Sequence, residues 1–138
     1  METCKERLKS LGIKGYNQFV YPGGGESYVT AHKYFKSARL IRGNAICPPS
    51  IDPYRLRTIY MQRHTNITDQ LVSLEIVKKY GVALITFHDI IPDGAEITQK
   101  EDVSFSTFKT IVDKVIELGI PVMTMGNLWE TFRWNNRM

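Results

Sequence analysis

Apolar residues along this chain follow two spacings, and each spacing predicts a different element. Segments with an apolar residue at every third or fourth position are typical of amphipathic helices. Segments with alternating or unbroken apolar and β-branched residues are typical of strands. Helices are predicted at residues 2–11, 26–37, 68–80, 104–118 and 126–134. Strands are predicted at residues 18–21, 38–42, 56–61, 82–86 and 121–125.

Helices and strands alternate through most of the chain. Alternation of this kind favours parallel strands that are connected by right-handed crossovers. The sequence therefore predicts an α/β fold with mostly parallel strands and flanking helices, in a single domain of residues 1–138. About five strands are too few for a closed (β/α) barrel, which has eight.

The strand predicted at residues 82–86 is followed closely by a histidine and an aspartate, His88 and Asp89. In α/β folds the carboxyl end of a strand is where ligands bind and catalytic residues lie. His88 is therefore a candidate general acid or metal ligand, with Asp89 as the adjacent carboxylate. The alternative is a histidine that caps the strand through a backbone hydrogen bond.

Three glycines follow Pro22, directly after the strand predicted at residues 18–21. They allow either the close approach of a ligand to the backbone or a tight turn. The segment lacks the GxGxxG spacing of a dinucleotide loop and the Lys-Ser/Thr pair of a phosphate-binding loop. The two other histidines, His32 and His64, have no partner at metal-ligand spacing and are predicted at the surface.

Composition limits the classes of function without choosing one. The chain has 138 residues, of which 43% are hydrophobic and 23% charged, values that are ordinary for a globular protein. A net charge of +4 without a run of Lys or Arg gives little support to nucleic-acid binding. Cys4 and Cys47 are isolated and form no zinc motif. No apolar stretch reaches the roughly 20 residues of a membrane span, and the charged N-terminus predicts no export signal, which leaves the compartment open.

Five short segments occur in the order in which a known family carries them. They are Phe19-Val-Tyr-Pro-Gly-Gly24, Tyr34-Phe-Lys-Ser-Ala-Arg39, Ile85-Thr-Phe-His-Asp89, Val103-Ser-Phe-Ser-Thr-Phe108 and Leu118-Gly-Ile-Pro-Val-Met-Thr124. Together they resemble the polysaccharide deacetylase family, whose members contain the NodB-homology domain of carbohydrate esterases. The family's two earlier motifs, Thr-Phe-Asp-Asp-Gly and His-x-x-x-His, are absent from the sequence. The resemblance therefore covers the C-terminal half to two-thirds of the domain, as in a truncated product or a fragment.

The resemblance implies a partial, distorted (β/α) barrel and a metal-dependent hydrolysis of N- or O-acetyl groups on a polysaccharide such as chitin or peptidoglycan. In the family a divalent metal, often zinc, is held by one aspartate and two histidines, and a second aspartate activates water. These motifs have no counterpart in this sequence, so no metal ligand and no cofactor is predicted in this chain. Most members of the family act at the cell envelope or outside the cell.

The resemblance also implies roles for individual residues. His88 takes the place of the general acid that protonates the leaving amine, and Asp89 beside it is the second predicted catalytic residue. The predicted substrate-binding residues are Tyr21, Pro22, Gly23, Gly24 and Thr86. Two positions depart from the family: Val20 stands where many members carry an arginine that orients the base, and Thr86 stands where many carry a leucine of the acetyl pocket.

Three hypotheses follow, each from a different class of protein. In the first, the chain is part of a polysaccharide deacetylase that is inactive by itself and whose substrate is an acetylated polysaccharide. In the second, it is a non-catalytic carbohydrate-binding or oligomerising module, with a homodimer formed through an exposed sheet edge. The third is a small hydrolase that combines His88 and Asp89 with a serine or cysteine nucleophile, but the sequence lacks the G-x-S-x-G elbow.

Overall fold

The computed structural model describes residues 2–25, 27–41, 43 and 52–132. The helices are α1 (Glu2–Ser10), α2 (Tyr28–Tyr34), α3 (Ile67–Tyr80), α4 (Phe105–Glu117) and α5 (Met125–Phe132), and a 3-10 turn covers Pro22–Gly24. The strands are β1 (Gln18–Val20), β2 (Ser37–Arg39), β3 (Thr58–Tyr60), β4 (Leu84–Thr86), β5 (Asp89–Ile91) and β6 (Asp102–Ser104). In the described part of the chain β1 pairs with β2, β3 with β4 and β5 with β6, and each pair is parallel. None of the described helices combines the length and the apolar composition that a membrane span requires.

The boundaries of α3 and α4 follow from their capping residues. Asn66 precedes α3, and its side-chain oxygen accepts a hydrogen bond from the Thr68 amide at 3.0 Å. Ser104 precedes α4, and its hydroxyl oxygen accepts from the Thr107 amide at 3.3 Å. Each cap satisfies a backbone donor that the first helical turn leaves without a partner. Gly119 follows α4 with a φ of +64°, a conformation that favours glycine.

The chain divides into two compact units. The first contains the described residues of Met1–Ile41, Ile51–Leu56 and Val122–Met138, and the second contains those of Arg42–Ser50 and Arg57–Pro121. Each unit has its own hydrophobic cluster. The partial barrel and the single domain of residues 1–138 stay predictions.

The core of the first unit is built around the strand pair β1–β2. Its buried residues are Tyr21, Ala31 and Ala38, and the side chains packed against them are Phe19, Leu40 and Tyr54. The Leu40 amide donates to the Leu56 carbonyl at 2.8 Å, and the Leu56 amide donates to the Ala38 carbonyl at 3.1 Å. Leu56 therefore forms an isolated parallel β-bridge with Arg39 of β2.

The core of the second unit is formed by β3, β4, α3, α4 and the residues that adjoin them. Its buried residues are Ile59, Met61, Leu74, Val103, Ile111 and Leu118. Alternate residues of the strands and one face of each helix contribute to it, as the periods of two and 3.6 residues require. An ion pair between Lys114 of α4 and Glu75 of α3, at 2.8 Å, joins the two helices.

The structure corrects the sequence predictions for strands at two places. The strand predicted at residues 121–125 is wrong: α5 begins at Met125, the preceding residues form no strand, and Val122 is 85% exposed. Pro121 has no amide proton, and no strand in the described part of the chain pairs with this segment, so its apolar run joins no ladder. The strands β5 and β6 are not predicted from the sequence, because each begins with an aspartate, a residue that is depleted in strands. Residues 26, 42 and 133–134 of the predicted elements, and Cys47, lie outside the described residues.

Candidate functional site

Strands β3 and β4 carry two faces of different chemistry. The strands pair in parallel over Thr58–Tyr60 and Leu84–Thr86, and side chains alternate between the two faces. One face packs into the core of the second unit through Ile59, Met61, Ile85 and Phe87. The other face carries Leu84 together with the polar side chains of Thr58, Tyr60 and Thr86 and, two residues further on, His88. This polar face is the candidate functional site.

Two threonine hydroxyls on the polar face form a short chain of hydrogen bonds. The Thr58 hydroxyl donates to the Leu84 carbonyl at 2.9 Å and lies 2.8 Å from the Thr86 hydroxyl oxygen. A hydroxyl has one proton, so Thr86 is the donor between the two threonines. The Thr58 side chain is buried, and these bonds satisfy a polar group whose burial would otherwise be costly. The Thr86 oxygen keeps lone pairs with which it can accept a further hydrogen bond.

His88 contacts Tyr60 at the carboxyl end of the polar face. The two ring centroids are 5.2 Å apart and the ring planes meet at 70°, an edge-to-face arrangement. The contact follows from the register, because Tyr60 stands opposite Thr86 and is therefore diagonal to the residue two positions further on. The His88 side chain is exposed. Among the described residues it has no hydrogen bond to the backbone, so the alternative in which it caps the strand gains no support there.

Asp89 belongs to a different strand pair from the one that carries His88. It is the first residue of β5 and stands opposite Asp102 of β6. Its side chain is exposed. The sequence predicts both residues at the end of one strand, whereas the structure divides them between the end of β4 and the start of β5. The catalytic role of Asp89 stays a prediction.

The Asp102 carboxylate closes the loop between β5 and β6. Its Oδ2 accepts hydrogen bonds from the Thr98 amide at 2.8 Å, the Gln99 amide at 2.9 Å and the Thr98 hydroxyl at 3.3 Å. The Gln99 amide contributes most to lowering the pKa of this carboxyl below its ordinary value, while burial opposes the shift. The bonds from Thr98 and the charge of Arg63 lower the pKa further. The ionised carboxylate is therefore the form that holds this loop.

Replacing Asp102 by asparagine should make the stability of the protein less dependent on pH in the acid range. The folded-state pKa is lowered, so the carboxylate stabilises the fold at a pH above the ordinary aspartate pKa. That contribution is lost as the pH falls through the lower, folded-state pKa. Asparagine keeps an oxygen that accepts the amide hydrogen bonds but has no charge to lose. Urea unfolding followed by far-UV circular dichroism at several pH values measures the unfolding free energy of the variant and of the wild type.

The matched control for this experiment is Asp113→Asn, which removes an exposed carboxylate that pairs with Lys109 on α4. This variant should retain most of the acid dependence of the wild-type protein, because an exposed ion pair contributes little. If the unfolding free energy of Asp102→Asn decreases as steeply as that of the wild type when the pH is lowered, the stabilising role of the ionised Asp102 carboxylate is contradicted.

The segment Pro22–Gly24 forms its 3-10 turn directly after Tyr21 in the first unit. Gly23 has a φ of +61°, which favours glycine, and apart from its two chain neighbours no described residue has an atom within 4 Å of the position that a Cβ would take. The turn conformation therefore accounts for this glycine without a ligand. Tyr21 is 1% exposed, so contacts from this segment to a substrate would come from the exposed Pro22 and Gly23. The substrate-binding roles of this segment and of Thr86, which lies in the second unit, stay predictions.

Thr58 and Tyr60 of the polar face are not among the site residues predicted from the sequence. Both lie in the alternating segment at residues 56–61, whose period indicates a strand but not its neighbour. Only the pairing of β3 with β4 shows that they share a face with Thr86 and His88. The alternation at residues 56–61 and the unbroken apolar run at residues 82–86 are the available signals, and the register is the missing information.

The divalent metal that the resemblance implies does not fit the described residues. No group of three or more histidine, cysteine, aspartate or glutamate side chains among them could hold a metal ion. The other two histidines, His32 and His64, are exposed, as predicted. What the polar face offers is an imidazole and hydroxyl groups, which can transfer a proton and form hydrogen bonds.

Comparisons with known proteins return no match for this chain. No family model matches it, and no curated protein or solved structure matches it. Its functional candidates rest on the geometry of the polar face and on the order of the sequence segments.

Proposed function

We propose that this chain forms part of a polysaccharide deacetylase-like domain, in which the polar face binds an acetylated glycan and His88 acts as the general acid. The observation that carries the proposal is the exposed imidazole of His88, which follows the carboxyl end of β4 beside the hydroxyls of the polar face. In α/β enzymes this end of the strands is where ligands bind. The order of the five sequence segments supports the same class of reaction.

The proposed reaction is the hydrolysis of an N- or O-acetyl group. An amine leaves readily only when its nitrogen gains a proton, and an imidazole can give that proton near neutral pH. The exposed ring of His88 is accessible to a bound sugar. Thr86, whose hydroxyl proton is directed to Thr58, offers an oxygen that can accept a hydrogen bond from the sugar or its amide. Asp89, at the start of β5, is the second proposed catalytic residue.

By itself, the chain is proposed to bind the glycan without releasing acetate. The sequence lacks Thr-Phe-Asp-Asp-Gly and His-x-x-x-His, the segments that carry the metal ligands and the base in the family. A general acid assists the departure of the amine but does not itself activate the attacking water. Hydrolysis would then need a metal and a base that these residues do not supply.

Titration of the protein with oligomers of N-acetylglucosamine should move the imidazole NMR signals of His88. The chain has three histidines, so single substitutions can assign their ring signals. The signals of His32, on α2 in the first unit, and of His64, which accepts a hydrogen bond from Arg63, should stay in place. His88→Gln should weaken binding by about two- to tenfold, because one hydrogen bond contributes about 0.5–1.5 kcal/mol.

The same samples test both parts of the proposal. If the glycan moves the His32 or His64 signals and leaves His88 unchanged, or if His88→Gln binds as tightly as the wild type, the polar face is not the site. Acetate release that a chelator abolishes would show that the chain is a complete deacetylase. A protein that binds no acetylated oligomer would contradict the assignment of substrate class.

A non-catalytic, oligomerising interaction module is the second candidate, and exposed apolar residues on α3 favour it. Val72, Ile76 and Tyr80 follow one another at intervals of four residues along this helix, and all three are exposed. Such a stripe is typical of surfaces that bind a partner. This candidate, like the homodimer through an exposed sheet edge, predicts a light-scattering mass that rises with protein concentration. It also predicts that glycan leaves the His88 signals in place.

A further inference from the structure

We infer that Tyr60 is a positioning residue that fixes the orientation of the His88 imidazole. The inference rests on the proposed role of His88, although the contact between the rings is a property of the free protein. Tyr60 is half-buried on the polar face, opposite Thr86. Its ring meets that of His88 edge to face, with the centroids 5.2 Å apart.

His88 needs a support of this kind because it lies after the last residue of β4 with an exposed side chain. Within the described ranges its side chain has no hydrogen-bond partner. Rotation about its side-chain bonds would distribute the ring over several rotamers, and only some of them would present a nitrogen to a bound sugar. A contact with an aromatic ring removes part of this freedom before the ligand binds.

Tyr60 is suited to this role because contacts on both faces of β3 fix the strand that carries it. The core of the second unit buries its neighbours Ile59 and Met61. On the polar face, Thr58 is anchored by its hydrogen bonds to β4. The ring of Tyr60 is therefore attached to a strand that packing and pairing keep in place, as a supporting residue must be.

Two substitutions of Tyr60 test the inference. Tyr60→Phe keeps the ring, so the His88 ring signals and the affinity for oligomers of N-acetylglucosamine should both be preserved. Tyr60→Leu removes the ring, so the His88 signals should move toward those of the unfolded protein. Its glycan binding should weaken by about two- to tenfold, because the loss of one aromatic pair changes affinity by about that factor. In the wild-type protein without glycan, NOE cross-peaks should join the ring protons of Tyr60 and His88.

The outcomes separate the inference from the proposed function. If the wild-type protein shows no cross-peaks between the two rings, the inference is overturned, whether or not Tyr60→Leu folds. A folded Tyr60→Leu variant with wild-type glycan affinity overturns it too. If the wild type shows the cross-peaks but binds no glycan, the proposed function fails, and Tyr60 remains the residue that orients His88 in the free protein.

Discussion

Replacing Tyr21 by alanine should lower the free energy of unfolding by about 3–5 kcal/mol, the range for removing a buried aromatic ring. Tyr21 is buried with Ala31 and Ala38 in the core of the first unit. Its ring also meets that of Phe19 edge to face, with the centroids 5.4 Å apart. The two alanines are too small to fill the cavity that the missing ring leaves, so the variant loses both apolar burial and packing contacts.

Tyr21→Phe is the matched control for this substitution. Phenylalanine keeps the ring and removes the hydroxyl, which donates to the Tyr54 carbonyl at 3.1 Å, so the expected cost is about 1 kcal/mol. Urea unfolding followed by tryptophan fluorescence measures both variants, because Trp129 belongs to the first unit. Equal costs for the two variants would contradict a packing role for the ring. A Tyr21→Ala protein of wild-type stability that loses glycan binding would instead support the substrate-binding role.

Replacing Leu74 by alanine should lower the free energy of unfolding by about 2–5 kcal/mol. Leu74 is 2% exposed on α3 and belongs to the core cluster that contains Ile59 and Ile111. This cluster joins the helices α3 and α4 to the apolar face of β3–β4. The polar face lies on the other side of the same two strands, so the cavity at Leu74 weakens the support beneath the candidate site.

Val72→Ala is the matched control on the same helix. Val72 is 56% exposed, so its truncation should change the unfolding free energy by no more than about 0.5 kcal/mol. Urea unfolding followed by far-UV circular dichroism measures both variants, since α3 and α4 are the longest described helices. A Leu74→Ala variant as stable as Val72→Ala would contradict the assignment of Leu74 to the core.

The helices α3 and α4 could be predicted closely from the sequence because their signals are local. The apolar period of each helix and the glycine that follows its last turn act within a few residues of the helix. Asn66 caps α3, and Gly119 follows α4 in the conformation that favours glycine. The strand predicted at residues 121–125 fails because an apolar run becomes a strand only when a neighbouring strand takes its hydrogen bonds.

The candidate site shows the same division between local and distant information. The position of His88 could be predicted, because a polar residue just after an apolar, β-branched segment is visible in the sequence. The role of Tyr60 could not be predicted, because Tyr60 lies 28 positions before His88 and the register of β3 on β4 decides which side chains it contacts. A shift of that register by one residue would put Tyr60 on the apolar face.

The sequence by itself therefore determined the alternation of helices and strands, the helices α3 and α4 and the position of His88 after a strand. Only the tertiary structure decided which strands pair, that Tyr21 is buried and that Thr58, Tyr60, Thr86 and His88 share one face. The physical reason is the range of the interactions. Capping and periodicity act over a few residues, whereas pairing and burial depend on segments that are distant in the chain.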